Sequence, residues 1–285
     1  MHALNRLLSC AVLACAVATT VATPTAAAPT AAAPTAPAVV PVALVTGSDR
    51  GIGLALTQEF AARGWKVIAT CRDPGHAQAL KDFAATHPAV AIETLDVGDN
   101  NAIDALAAKY QGQPIDALVN NAGITGDFAA QRLGTLDSDA FQQVLRVNAY
   151  APLRMARAFL DSVSASHQKK IIAISSGSGS LFTAPAAPDS YYYNMSKSAL
   201  NMGMRLLQND VRSRGVLVGI VSPGPVDTDM QKAYRANAAQ AGKPMTTPAI
   251  APADSARALV SYIEGLATDK AGRFWSAYTG QEVPW

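Results

Sequence analysis

The chain carries only three cysteines in 285 residues, and two of them, Cys10 and Cys15, lie within the first 22. Cys71 is therefore alone in the remainder, which excludes an intrachain disulfide there. Four histidines, none grouped with cysteine at ligand spacing, give no support to a zinc centre, so no metal is expected. Charge is scarce as well: Asp, Glu, Lys and Arg make up 15%, and the formal net charge is +2. That near balance, with no long Lys/Arg run, excludes the electrostatic footprint that nucleic-acid binding needs. No apolar stretch downstream of residue 40 is long enough to cross a bilayer. What is plentiful is apolar content, at 49%, enough for one substantial core.

The N-terminal part reads differently from the rest. Residues 1–22 look like a secretory leader, with Arg6 at the start, a mostly apolar 7–17, and Thr20-Val21-Ala22 as a small-x-small cleavage site. Val12-Leu13-Ala14-Cys15 is weakly lipoprotein-like. Residues 23–41, TPTAAAPTAAAPTAPAVVP, have no apolar periodicity and read as an extended, disordered tether. The competing reading is a start codon assigned too early.

From residue 42 onward short apolar runs alternate with helical patterns. Strands are predicted over 42–46, 66–70, 90–94, 115–119, 170–175, 216–221 and 272–276. Helical spacing of apolar residues covers 54–63, 102–110, 140–163, 195–214 and 252–265. Strand–helix alternation on this scale predicts one α/β domain over 42–285, doubly wound, with a mostly parallel seven-stranded sheet flanked by helices.

The first predicted strand runs into Thr46-Gly47-Ser48-Asp49-Arg50-Gly51-Ile52-Gly53, and a helical pattern follows at once. Gly47 permits a sharp exit from the strand, Gly51 lets backbone approach a pyrophosphate, and Gly53 lets helix and sheet pack closely. The helix N-terminus then offers unpaired N–H groups and positive dipole to phosphates, as in a Rossmann-type fold. At the end of the second strand, where an NAD enzyme places an acid, stand Cys71 and Arg72. A forked guanidinium suits a ribose 2′-phosphate, and Arg50 can support the same group. NADP(H) is preferred on this ground and NAD(H) stays open; the plainer reading of both arginines is a solvated edge.

The spacing T-G-x-x-x-G-x-G resembles that of the short-chain dehydrogenase/reductase family, and the resemblance runs from about residue 42 to the C-terminus. Leu95-Asp96-Val97 is similar to the family's adenine-contacting pair, which implies that Asp96 and Val97 meet the adenine. Asn120-Asn121-Ala122-Gly123 matches its N-N-A-G motif, in which Asn121 ties strand ends while Ala122 and Gly123 let the chain pass close to the cofactor.

Within Tyr191-Tyr192-Tyr193-Asn194-Met195-Ser196-Lys197 only Tyr193 has a lysine four residues on. On a helix that puts both side chains on one face, where an ammonium is expected to draw the phenol pKa down toward working pH for acid/base work. The family pattern makes Ser176, in Ile174-Ser175-Ser176, the serine that holds the substrate oxygen, with Ser178 as a rival. Ser176 and Tyr193 are 17 residues apart, longer than in many members, which an insertion over 177–190 explains. Val147-Asn148 resembles the V-N segment and implies that Asn148 binds a water linking Lys197 to solvent. Pro223, Gly224, Val226 and Thr228 match the P-G…V-x-T pattern that meets the nicotinamide, and 228–250 would be a mobile loop over the substrate.

Tyr193 through Asn201 and the ending Gly280-Gln281-Glu282-Val283-Pro284-Trp285 are similar to the sniffer/C-factor-like carbonyl reductase subgroup. The resemblance implies an NADP(H)-dependent enzyme reducing a small-molecule carbonyl, or oxidising an alcohol, and pairing as a homodimer or homotetramer. A non-catalytic nucleotide-binding signalling or scaffold protein is the alternative. The leader implies a periplasmic, secreted or lipid-tethered protein, while NADP use implies the cytoplasm.

Overall fold

The apolar run Val42–Thr46 forms strand β1, whose last four residues are buried, as a strand covered on both faces requires. The computed structural model describes residues 39–182 and 189–285, together with Ala16. The leader and most of the tether read from the sequence lie outside the described residues. Residue 41 already belongs to the sheet region, since the Pro41 carbonyl accepts from the Lys66 N–H at 2.9 Å.

Beyond β1 the strands are β2 (Lys66–Cys71), β3 (Val90–Thr94), β4 (Ala117–Asn120), β5 (Lys170–Ile174), β6 (Leu217–Ser222), β7 (Phe274–Ser276) and β8 (Gln281–Glu282). The helices are α1 (Gly51–Ala62), α2 (Gln78–Thr86), α3 (Asn100–Lys109), α4 (Ser138–Leu145), α5 (Ala151–Ser164), α6 (Tyr191–Val211), α7 (Asp229–Gln240) and α8 (Pro252–Glu264). The sheet order is β3-β2-β1-β4-β5-β6-β7-β8, parallel up to β7. The chain first moves outward from β1 to β3 and then returns to β4. That reversal opens a crevice at the carboxyl ends of β1 and β4, where doubly wound folds bind ligands. Two apolar layers hold the sheet, one with Met155, Phe159 and Met204 on one face, the other with Leu56, Phe60 and Leu259.

Several details differ from the sequence expectation, among them helix α2, which lies outside every predicted helical segment. An eighth strand exists: β8 has two residues, too few for periodicity to signal, and pairs antiparallel with β7. The helix expected over 140–163 is broken by a π turn at Arg146–Tyr150. The break has a covalent cause, because residue 152 is proline and brings no N–H to the Asn148 carbonyl. The ladder shifts, and Ala151 donates to the Arg146 carbonyl five residues back. Finally, the region expected as a mobile loop contains α7, capped by Thr228, whose hydroxyl accepts from the Gln231 N–H at 3.2 Å. Alanine content and this cap favour helix there, and burial of Tyr234 anchors it.

Candidate active site

The crevice is built by lacing two strand ends together. The Thr46 hydroxyl accepts from the N–H groups of Asn121 and Ala122, each at 3.0 Å, and donates to the Val119 carbonyl at 3.4 Å. Asn121 returns the link, donating through Nδ2 to the carbonyls of Thr46 (2.8 Å) and Gly47 (3.1 Å). Ser48 is fully buried and spends its hydroxyl on the Val45 carbonyl and its N–H on that of Thr70. It therefore shapes the loop from behind. Gly47 turns at φ +68°, and a Cβ on Gly53 would stand 1.9 Å from the Gly47 carbonyl oxygen. Only glycine lets α1 start so close to the strand end. Arg50, at the N-cap of α1, is extended and makes no side-chain cap, so the first N–H groups of the helix are left to an anion.

A cleft of about 710 Å³ opens over this loop. Arg50, Gly51, Ile52 and Gly53 line it on one side, and Cys71, Arg72, Asp96 and Val97 continue the wall. Asn121, Ala122 and Gly123 follow, then Tyr193 and Lys197, with Pro223 and Thr228 opposite. Asp96 is exposed and holds the Gly98 N–H on Oδ1 at 2.8 Å. Cys71 is buried, and that burial raises its thiol pKa. The end of β2 thus presents a neutral thiol and an exposed guanidinium. An uncapped helix start, a glycine where a Cβ would clash and two arginines at this edge form a donor set that fits a phosphorylated dinucleotide. Gly224 and Val226 are not among the cleft walls; Val226 is buried and bridged to Ile250.

At the other part of the cleft Tyr193 lies in the first turn of α6. Ser176, two residues beyond the end of β5, stands close enough to the Tyr193 hydroxyl to draw the phenol pKa downward. The Ser176 hydroxyl also accepts from the Ser178 N–H at 3.2 Å. Lys197 Nζ donates to the Ile174 carbonyl at 2.9 Å and lies 5.7 Å from the Tyr193 ring centroid. Both residues are buried. Burial pushes the Tyr193 phenol up to about 12, with the Ser176 hydroxyl pulling the other way. Burial pushes the Lys197 ammonium down to about 8. Desolvation, and not the neighbouring lysine, is therefore the largest influence on the Tyr193 pKa.

Asn148, in the π turn, is 1% exposed and its carboxamide is fully engaged. Oδ1 accepts from the Ile124 N–H at 2.9 Å, while Nδ2 donates to the Ile124 carbonyl (2.8 Å) and to Ser196 Oγ (2.9 Å). Its side chain is thus a structural clamp. The group suited to hold a water is the Asn148 backbone carbonyl, to which Pro152 supplies no N–H.

Several residues of this site gave no signal in the sequence. Tyr234 of α7 packs its ring 6.1 Å from that of Tyr193 and 5.8 Å from Phe128. Gln131, wholly buried, reaches the start of α6. An isolated Tyr or Gln in a polar stretch carries no periodicity to mark it. Ser196 and Asn201 stood inside a quoted motif, and the structure ties Ser196 to Asn148 and Asn201 to Ser175.

The fold and this constellation belong to the short-chain dehydrogenases, and the family's sequence model matches residues 41–239. The chain is a member of that family of oxidoreductases. It is 36% identical over 181 residues to the C-signal of Myxococcus xanthus, covering 64% of this chain and 99% of that one. It is 32% identical over 194 residues to the 3-oxoacyl-[acyl-carrier-protein] reductase FabG of Escherichia coli, covering 67% and 76%. Among solved structures, the NADPH-bound carbonyl reductase from chicken fatty liver superposes with a TM-score of 0.74 at 30% identity, over 86% of this chain and 99% of the other. The carbonyl reductase Sniffer of D. melanogaster gives 0.74 at 26% identity, over 86% and 100%.

Proposed function

We propose that this protein is an NADP(H)-dependent carbonyl reductase acting on a small-molecule carbonyl, with Ser176, Tyr193, Lys197 and Asn148 as its catalytic set. The observation that carries this reading is the buried Tyr193 beside the buried Lys197, 5.7 Å from ring centroid to Nζ, both opening on a cleft with a glycine loop and Arg72. The NADPH bound to the chicken enzyme and the NADP bound to a Burkholderia multivorans relative, 27% identical, support the choice of cofactor. NADPH, when bound, supplies the hydride. Ser176 steadies the substrate oxygen, and Tyr193, held protonated by burial, donates the proton to it. Lys197 would hold the cofactor ribose, and its ammonium favours the ionised form of the phenol after proton transfer. A water on the Asn148 carbonyl returns the proton from solvent. A protein that only bound nucleotide would have no use for a buried acid paired with a buried lysine.

The test is a fluorescence titration of residues 40–285 with NADPH and NADH, followed by an NADPH-consumption screen over aldehydes, ketones and quinones. Arg72→Glu should weaken NADPH binding by about 2 kcal/mol or more and leave NADH much less affected. Tyr193→Phe should bind NADPH normally and lose at least about 100-fold in turnover. Absence of nucleotide binding at millimolar concentration would overturn the reading. We also propose that residues 1–22 are removed after Ala22 as an export leader. N-terminal sequencing of the protein recovered from cells would then begin at Thr23, and an intact Met1 would rule this out.

A further inference from the structure

The first turn of α6 has a capping problem. Its N-cap, Ser190, makes no side-chain cap; its hydroxyl instead accepts from Asn194 Nδ2 at 3.1 Å and from the Tyr234 hydroxyl at 3.2 Å. The N–H groups of Tyr192 and Tyr193 occupy the second and third helical positions, the ones an N-cap oxygen ordinarily serves. Both point instead to Gln131, more than 60 residues earlier in the chain. Gln131 Oε1 accepts from Tyr192 N at 2.9 Å and from Tyr193 N at 3.4 Å. The same carboxamide donates through Nε2 to the carbonyls of Thr125 (2.9 Å) and Asp127 (3.2 Å). Thr125 and Gly126 line the cleft. Gln131 is fully buried, so no water competes for these bonds.

We infer that Gln131 is a positioning residue for the Tyr193 acid: it caps the catalytic helix from a distant loop and fixes the tyrosine against Ser176 and the 124–127 segment of the cleft wall. This rests on the reading of Tyr193 as the proton donor. The carboxamide is uniquely suited, because it must accept on one atom and donate on the other without carrying charge. A hydrocarbon at position 131 strands two N–H groups and two carbonyls. A carboxylate keeps the N–H bonds but loses the donor side and sets a negative charge at the backbone of the helix turn that carries the phenol. Lys197 and Tyr234 are the other titratable groups that face Tyr193.

The experiment uses 4-nitrobenzaldehyde as the carbonyl probe and NADPH as donor, with wild type, Gln131→Leu, Gln131→Glu and Tyr193→Phe. Gln131→Leu should lower kcat by about 10- to 100-fold while the NADPH Kd stays within about twofold, since a displaced acid costs turnover and the nucleotide end is untouched. Gln131→Glu should move the alkaline limb of the kcat profile to higher pH, because the added charge disfavours tyrosinate. The same upward movement should appear in the Tyr193 signal of 13Cζ-tyrosine-labelled protein, assigned with Tyr193→Phe. A folded Gln131→Leu with unchanged kcat, or a Gln131→Glu whose limb and tyrosine signal stay in place, overturns the inference. Should Gln131→Leu fail to fold, the Gln131→Glu profile decides. Full activity in Tyr193→Phe would instead overturn the catalytic reading itself.

Discussion

The Asn148 carboxamide donates to the Ser196 hydroxyl at 2.9 Å, and that hydroxyl donates in turn to the Tyr193 carbonyl at 2.7 Å. A relay of two short bonds thus joins the π turn to the first turn of α6, with no solvent between. Ser196→Ala removes the middle of it and leaves a buried Asn148 N–H without a partner. The expected cost is about 1–3 kcal/mol in urea unfolding. An unchanged midpoint would mean the relay contributes nothing.

Thr46→Val keeps the shape of the β1 end and deletes its hydroxyl. The N–H groups of Asn121 and Ala122 then lose their shared acceptor in a partly buried place. A loss of about 2–4 kcal/mol in stability is expected, together with weaker NADPH binding because the glycine loop is no longer tied to β4. Thr46→Ser should recover most of both, as measured by thermal melting and nucleotide titration.

Gly53→Ala probes the closeness of α1 to its strand. The new methyl would sit 1.9 Å from a backbone oxygen, which no rotamer change relieves. NADPH affinity should fall at least about tenfold, with the circular dichroism spectrum retained. Wild-type affinity in this variant would show that the loop has room it does not display.

Lys197 makes stability depend on pH in a specific direction. Its folded pKa, about 8, lies below the ordinary lysine value of 10.5. Below pH 8 both folded and unfolded chains hold the proton, and the folded state carries the burial penalty. Between pH 8 and 10.5 the unfolded chain binds more protons, so stability from this residue rises with pH. Tyr193 acts oppositely above pH 10, where the unfolded chain ionises first and stability falls. Lys197→Met should flatten the rise in melting temperature between pH 8 and 10; a rise equal to wild type would exclude this source.

The strand–helix alternation from residue 42, the glycine loop and the Tyr193/Lys197 pair were all determined by the sequence alone. Each depends on short spacings, two for a strand, four for a helix and a few residues for a phosphate loop, and such spacings survive without knowledge of the fold. Tertiary structure decided what those spacings cannot hold. Gln131 became a cap only because the turn over residues 129–131, after β4, folds against the start of α6. Helix α7 in place of a loop depended on a pocket for Tyr234 between Phe128 and Tyr193. Even the protonation of Tyr193 was settled by packing: a nearby lysine is written in the sequence, but burial is a property of the assembled core, and here burial is the larger effect.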